Sequence, residues 1–373
     1  MNKVKIKTLS TVHIGSGEFL HYNTDYVVDS QGDDSIIYVI DPNKIMGLIG
    51  QEHVSNWVSA IERGDDTKEL VKTYCSNATP DRYALRSITN FADINPGDTL
   101  KEAIHDGQGI PYIPGSSIKG AIRTAVLSSA SSRLTHIEQL VVTNNERTGK
   151  TNIGAQLVEK TLFGKDPNSD IFRFLKVGDA YFPKGCEVSS RVINLNIRTS
   201  DNLLDSSKPQ LVESIGMDVD SEFQMNLDTR TYDFARERSR DIGRMPSEMS
   251  SIETLFSTIN NHTAHLLKEE ISFWNEQQEI KNGADDYLDN IKDILNQTHA
   301  CKEGKECILR IGHASGWRFI TGAWTEHLDI FYDKIVPRSR PSNDKYLQYP
   351  FPKSRRIDEE GGYVFGFVKL EIF

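Results

Sequence analysis

The 373-residue chain predicts an α+β fold, a ferredoxin-like core carrying large helical insertions. Three observations predict it. Residues 3–9 and 363–373 alternate apolar and polar side chains as strands do, a helix with one apolar face opens near residue 115, and two stretches, 42–76 and 249–300, follow a helical period. Strands and helices mixed without a regular strand–helix repeat belong to α+β architectures. At about 150 residues per domain the length accommodates two units, expected at 1–200 and 201–373, with the helical insertions at about 42–76 and 249–300.

The first strand, Lys3-Val4-Lys5-Ile6-Lys7, precedes the loop Gly15-Ser16-Gly17 and two extended runs, Asp25-Tyr26-Val27-Val28 and Ile36-Ile37-Tyr38-Val39-Ile40, which read as paired strands. Ile45, Leu48, Ile49, Val54, Trp57, Val58 and Ile61 then recur at helical spacing. Further on, Ser116 or Ser117 is expected to cap a helix whose apolar face is Ile118, Ile122, Ala125 and Val126. Strands are expected at 172–177, 188–197 and 217–227. Two helical stripes follow, one from Ile252 to Trp274 and one from Leu288 to Leu295, broken at Asn282-Gly283.

Lys and Arg total 43 against 53 Asp and Glu, a net charge of −10. Its distribution matters more than the sum: 249–300 holds three Lys against nine acidic residues, whereas 334–356 holds seven basic residues against Asp344 alone. Four scattered cysteines, Cys75, Cys186, Cys301 and Cys307, make no disulfide framework in a chain this long. No window approaches the roughly 18 apolar residues of a membrane helix, and the start lacks a signal peptide's apolar core. The expectation is a cytoplasmic protein with no membrane partner. Neither a P-loop nor a G-x-S-x-G nucleophile elbow is present.

Three segments could carry chemistry. The first is the helix start with Gly115, Ser116, Ser117, Lys119 and Arg123, where backbone N–H groups, hydroxyls and two cations at i, i+4 spacing suit a phosphate; the plain alternative is a capped, solvated turn. The second holds Gly312, His313, Ser315, Gly316, Trp317 and Arg318: small residues admit a ligand, Trp317 offers a stacking face and Arg318 a charge, the alternative being a buried Trp on a glycine turn. The third is a proline-rich basic run with Arg338, Arg340, Lys345, Tyr346, Tyr349, Phe351, Lys353, Arg355 and Arg356, alternatively a solvated loop.

The order His13-Ile14-Gly15-Ser16-Gly17, then Tyr112-Ile113-Pro114-Gly115-Ser116-Ser117-Ile118-Lys119-Gly120-Ala121-Ile122-Arg123, resembles the RAMP superfamily of CRISPR effector subunits, whose RRM-like cores hold guide RNA. Arg310-Ile311-Gly312-His313-Ala314-Ser315-Gly316-Trp317, Pro352-Lys353-Ser354-Arg355-Arg356 and Gly366-Phe367-Val368-Lys369-Leu370 narrow the resemblance to the fifth-subunit family of the type III-A Csm complex. It implies a protein that sits at the crRNA three-prime end, caps the filament of backbone subunits and assists crRNA maturation without being the nuclease; no cofactor or metal is expected. Its implied partners are crRNA, target RNA nearby, the backbone RAMP subunit, the small subunit and a cellular nuclease. The glycine-rich C-terminal loop of the superfamily is reduced here to Gly361-Gly362 and Gly366.

Related backbone subunits cut target RNA with an aspartate after the first strand, and Asp25 is similar in position; with His13 or His21 as acid or base it offers an endoribonuclease alternative. A zinc site from His299, Cys301, Cys307 and His313 has spacings of no common pattern. A third alternative is a scaffold docking another protein through the acidic helices.

Overall fold

A computed structural model describes residues 2–31, 34–144, 151–339 and 348–373. Its centre is a five-stranded antiparallel sheet in the spatial order Leu175–Val177, Asp220–Leu227, Asn2–Thr8, Phe367–Ile372, Glu306–Arg310. The strand at either end of the sequence is a neighbour of the other: Val4 pairs with Ile372 and Thr8 with Val368. Val4, Ile6, Val368, Leu370 and Leu309 turn one way and meet two helices, Gly115–Ser131 through Ile118, Ile122, Ala125 and Val126, and Ile252–Gln278 through Leu255, Phe256 and Ile259. The apolar face read from the sequence at 115–127 is therefore the face that covers the sheet.

Alongside lies an eight-stranded mixed sheet. Gly15–His21 forms one edge, followed by Thr99–Ala103, Leu204–Ile215, Glu187–Asn196, Ala84–Asn90, Asp34–Ile40 and Tyr26–Gln31, and Ser354–Asp358 pairs with Glu187–Asn196. Both sheets draw strands from either side of residue 200, and Glu187–Asn196 pairs directly with Leu204–Ile215. The chain is not divided at the expected boundary between 1–200 and 201–373, because those strands close one another's edges.

Helices form in both stretches that follow a helical period. Pro42–Ile49, Val54–Arg63 and Thr67–Tyr74 bury Ile45, Ile49, Trp57 and Val71 in a satellite core with Val27, Ile40 and Tyr83. Ile252–Gln278 and Asp285–His299 are split at Gly283, whose φ of +111° suits glycine. The latter pair is no appendage: Leu266, Leu267, Trp274, Tyr287 and Ile291 enclose a second core with Ile308, Phe319 and Phe367. Three local expectations change. Residues 171–174 form a 3-10 turn ahead of the short strand Leu175–Val177, the twelve-residue strand Leu204–Ile215 was not foreseen, and the last strand spans only Phe367–Ile372.

Candidate nucleic-acid interface

Two adjacent arginines define the site by pointing opposite ways. In Ser354–Asp358 successive side chains alternate across the sheet, so Arg355 and Ile357 are buried while Arg356 stands outside. Arg355 donates from Nε to Glu270 Oε2 at 2.8 Å and from Nη2 to Oε1 at 2.7 Å. Arg318 Nη1 donates to the same Oε1 at 2.8 Å, and its other nitrogens grip Glu326. Tyr287 and Trp274 complete the shell around Glu270, which is 1% exposed. Burial alone would raise this carboxyl, but Arg355, Arg318 and the Tyr287 hydroxyl overcome it and hold it at about 2. Arg318 and Arg355, expected as RNA contacts, are thus corrected to internal counter-charges of Glu270, since a buried carboxylate must be paired. Arg310 is internal too, donating to Phe365 O between the rings of Phe319 and Phe367.

This buried hub underpins an outer loop. Gly312 has φ +78°, and a Cβ there would come within 2.5 Å of His13 O; at Gly366, φ +86°, it would come within 2.1 Å of Ile311 O. These two glycines let residues 11–14, 311–316 and 364–366 lie backbone against backbone. His313 N–H donates to His13 O at 2.9 Å, and Ser315 Oγ is turned inward onto Gly312 O. The His13 and His313 rings meet edge to face, 5.4 Å apart. His13 Nδ1 must donate to Glu213 O, a carbonyl that only accepts, and Arg356 Nη1 donates to His313 Nε2 at 2.9 Å. Burial, then Arg356, His13 and Lys101, push the His313 imidazole down to about 3. Lys101, from Thr99–Ala103, donates to Gln210 and is lowered by burial and by Arg356. Among the described residues neither Lys101 nor Arg356 has a carboxylate within 4 Å, so two half-buried cations lie unneutralised beside the half-buried His313 and the buried His13. Lys101 was missed from the sequence because a lone lysine in a strand carries no motif.

Below this surface Arg86 donates to Glu213 and Glu102, with His105 between Glu213 and Glu187. Glu102, His105 and Glu213 are, among the described residues, the one set of three donor atoms close enough to share a metal ion. Arg86 already supplies the positive charge there.

At Gly115–Ser131 the expected serine cap is replaced. The N-cap is Pro114, and the Asp179 carboxylate accepts from Gly115 N–H at 2.7 Å, so the helix end is already served by an anion. Gly115 is demanded by packing: a Cβ would meet Val177 O at 2.3 Å. Ser116 is exposed and Ser117 half-buried. Arg123, expected on a phosphate, instead binds Glu159 and Asp170 while lying over Phe163 and Phe172. Lys119 is half-buried with no ion pair among the described residues, its amine lowered mainly by burial. Trp317 packs its ring on Phe331 and Phe351, which corrects the expected stacking face to an intramolecular one. Gly316 has φ +77°. Lys353 is half-buried, its carbonyl accepting from Ile197 N–H. The Arg338 side chain, Arg340, Lys345 and Tyr346 lie outside the described residues.

Asp25 closes the turn between Gly15–His21 and Tyr26–Gln31, its Oδ2 accepting from His21 N–H at 2.8 Å. The bulged strand Gly15–His21 stands between it and His13, whereas His21 is beside it in the same turn, Asp25 N–H donating to His21 O. Cys307 is buried in the core strand Glu306–Arg310, and the Cys301 thiol donates to Gln297 O.

A sequence model of the RAMP superfamily matches residues 5–319, most of the chain. The chain belongs to the RAMP superfamily. Among RAMP proteins, it is 26% identical over 186 residues to the "CRISPR system Cms protein Csm5" of Methanocaldococcus jannaschii, covering 48% of this chain and 42% of that one. It is 28% identical over 150 residues to the protein of the same name from Enterococcus italicus, covering 33% and 42%. The matched stretch thus spans about two fifths of these relatives' lengths. Two solved structures share the fold. One is a chain of a cryo-EM Csm–crRNA–target RNA ternary complex of a type III-A system, with TM-score 0.71, 20% identity and full coverage of both chains. The other is the crystal structure of T. onnurineus Csm5, with TM-score 0.66, 20% identity and coverage of 98% and 99%. Among the described residues no helix is long and apolar enough to cross a membrane.

Proposed function

We propose that this RAMP protein is a non-catalytic crRNA-binding subunit of a type III-A Csm interference complex, capping the backbone filament at the crRNA three-prime end and assisting crRNA maturation. The names of its relatives support the complex. The single observation that carries RNA binding is the Lys101–Arg356 pair: two neighbouring cations that, among the described residues, have no carboxylate partner. Arg presents a fork matched to phosphate oxygens, and Lys a point charge. A non-catalytic role is supported by Asp25, whose carboxylate is engaged in its own turn, accepting from His21 N–H. The backbone RAMP subunit, the small subunit, target RNA and a processing nuclease are the partners this reading entails.

The test is RNA affinity against salt for the full chain. Lys101→Ala with Arg356→Ala should weaken binding to a crRNA three-prime segment and flatten the slope of log K against log salt by about 0.7 per lost single-strand phosphate contact, with unchanged melting temperature. Unchanged affinity and slope in that double variant would refute the assignment.

A further inference from the structure

We propose that Phe19 is a base-stacking residue, so that RNA on this surface is read through a base face as well as its phosphates; this rests on the RNA-binding reading above.

Phe19 sits on Gly15–His21, the edge strand of the eight-stranded sheet, and is 51% exposed. A singly exposed aromatic means little by itself. What singles this one out is its setting. The strand pairs Gly15 with Ala103 and then Phe19 with Lys101, spending four residues against two on its partner. Such a bulge re-aims the side chains that follow it. Gly17, at φ +99° within the bulge, has open space where a side chain would project. Phe19 and Lys101 are cross-strand partners and so share a face, while the next pair, Leu20 and Leu100, turns to the opposite face and its core. The Lys101 ammonium stands 6.0 Å from the centre of the Phe19 ring. A hollow of about 170 Å³ bordered by Thr99, Lys101, Gln210 and Leu211 adjoins it.

The cation and an accessible aromatic face are therefore cross-strand neighbours on the edge strand and the strand beside it, separated by less than the length of a nucleotide. This is the pairing of charge and stacking by which single strands are held without sequence preference. Lys101, shared between the ring and Arg356's field, fixes where the backbone passes, and the base then falls toward Phe19.

The experiment uses the full chain and a crRNA-length single strand carrying 2-aminopurine at successive positions. Wild-type protein should quench one or two adjacent positions. Phe19→Ala should remove that quenching and weaken binding about 10- to 100-fold, in the range set by loss of one stacked base, with the salt slope unchanged. Phe19→Trp should restore both. An abasic nucleotide at the quenched position should make wild type and Phe19→Ala bind alike. If wild type binds RNA but Phe19→Ala binds equally well with the same quenching, Phe19 does not stack and the phosphate reading survives. If wild type binds no RNA, both fall. Because Phe19 projects from an edge strand, the Ala variant should melt with the parent.

Discussion

Arg355 and Glu270 lie 85 residues apart in sequence and meet through two parallel hydrogen bonds, Nε to Oε2 and Nη2 to Oε1, with both side chains buried. The pair joins the long acidic helix Ile252–Gln278 to the strand that presents Arg356.

Removing one member of such a pair leaves an uncompensated buried charge. Glu270→Ala should destabilise the protein by about 3–5 kcal/mol in urea unfolding, because it strands both Arg318 and Arg355. Arg355→Ala should fall in the same range, whereas Arg356→Ala next to it should change stability by about 0.5 kcal/mol or less. Equal effects at 355 and 356 would contradict the alternation.

Trp317→Ala should lower the melting temperature by removing ring contacts with Phe331 and Phe351. RNA affinity of the fraction that remains folded should match wild type. Weaker binding with an unaltered melting temperature would instead return Trp317 to an RNA-stacking role.

Arg123 and Lys119 should separate. Arg123→Ala loses two carboxylate partners and two ring contacts and should destabilise the helix Gly115–Ser131 against Phe163 and Phe172, measured as slowed refolding or a lower urea midpoint. Lys119→Ala should leave the midpoint in place.

Stability should fall with acid from about pH 6.5 toward pH 4. His13, His262 and His313 are held below the ordinary histidine range, chiefly by burial, His262 at about 4 and His313 at about 3. As pH drops through 6.5 the unfolded chain takes up protons that the folded chain refuses, so stability is complete above that pH and drains below it. His313→Gln should shrink the slope in this window by one proton. The Glu270 contribution is lost lower, between about pH 4.5 and 2, and should survive that substitution.

The sequence made much of this fold legible because periodicity reports burial. The stripe from Ile118 to Val126 and the paired helices around Gly283 emerged where their patterns place them. The same logic could have divided the basic tail: Ile357 is apolar and must face inward, so in a strand Arg355 shares its face and Arg356 does not. What no local pattern reveals is the partner. Nothing near Arg123 in sequence announces Asp170 or Glu159, nothing near Gly115 announces Asp179, and Lys101 gains meaning only when Arg356 arrives from 255 positions downstream. A glycine-rich motif can be required by close backbone packing as well as by a ligand, and at Gly115, Gly312 and Gly366 the packing alone demands it.

The strand Phe367–Ile372 lies between Asn2–Thr8 and Glu306–Arg310, and Phe367 N–H reaches Ser10 Oγ across 357 positions. During synthesis the Asn2–Thr8 strand therefore leaves the ribosome with both edges open; Asp220–Leu227 closes one, and the other stays open until residues 367–372 follow. Throughout that interval the nascent chain offers a template for any passing strand, the condition under which slow, non-local sheets aggregate. A premature stop only a few codons before residue 367 would leave a hole in the middle of the sheet, and the product would be a substrate for chaperones and proteases.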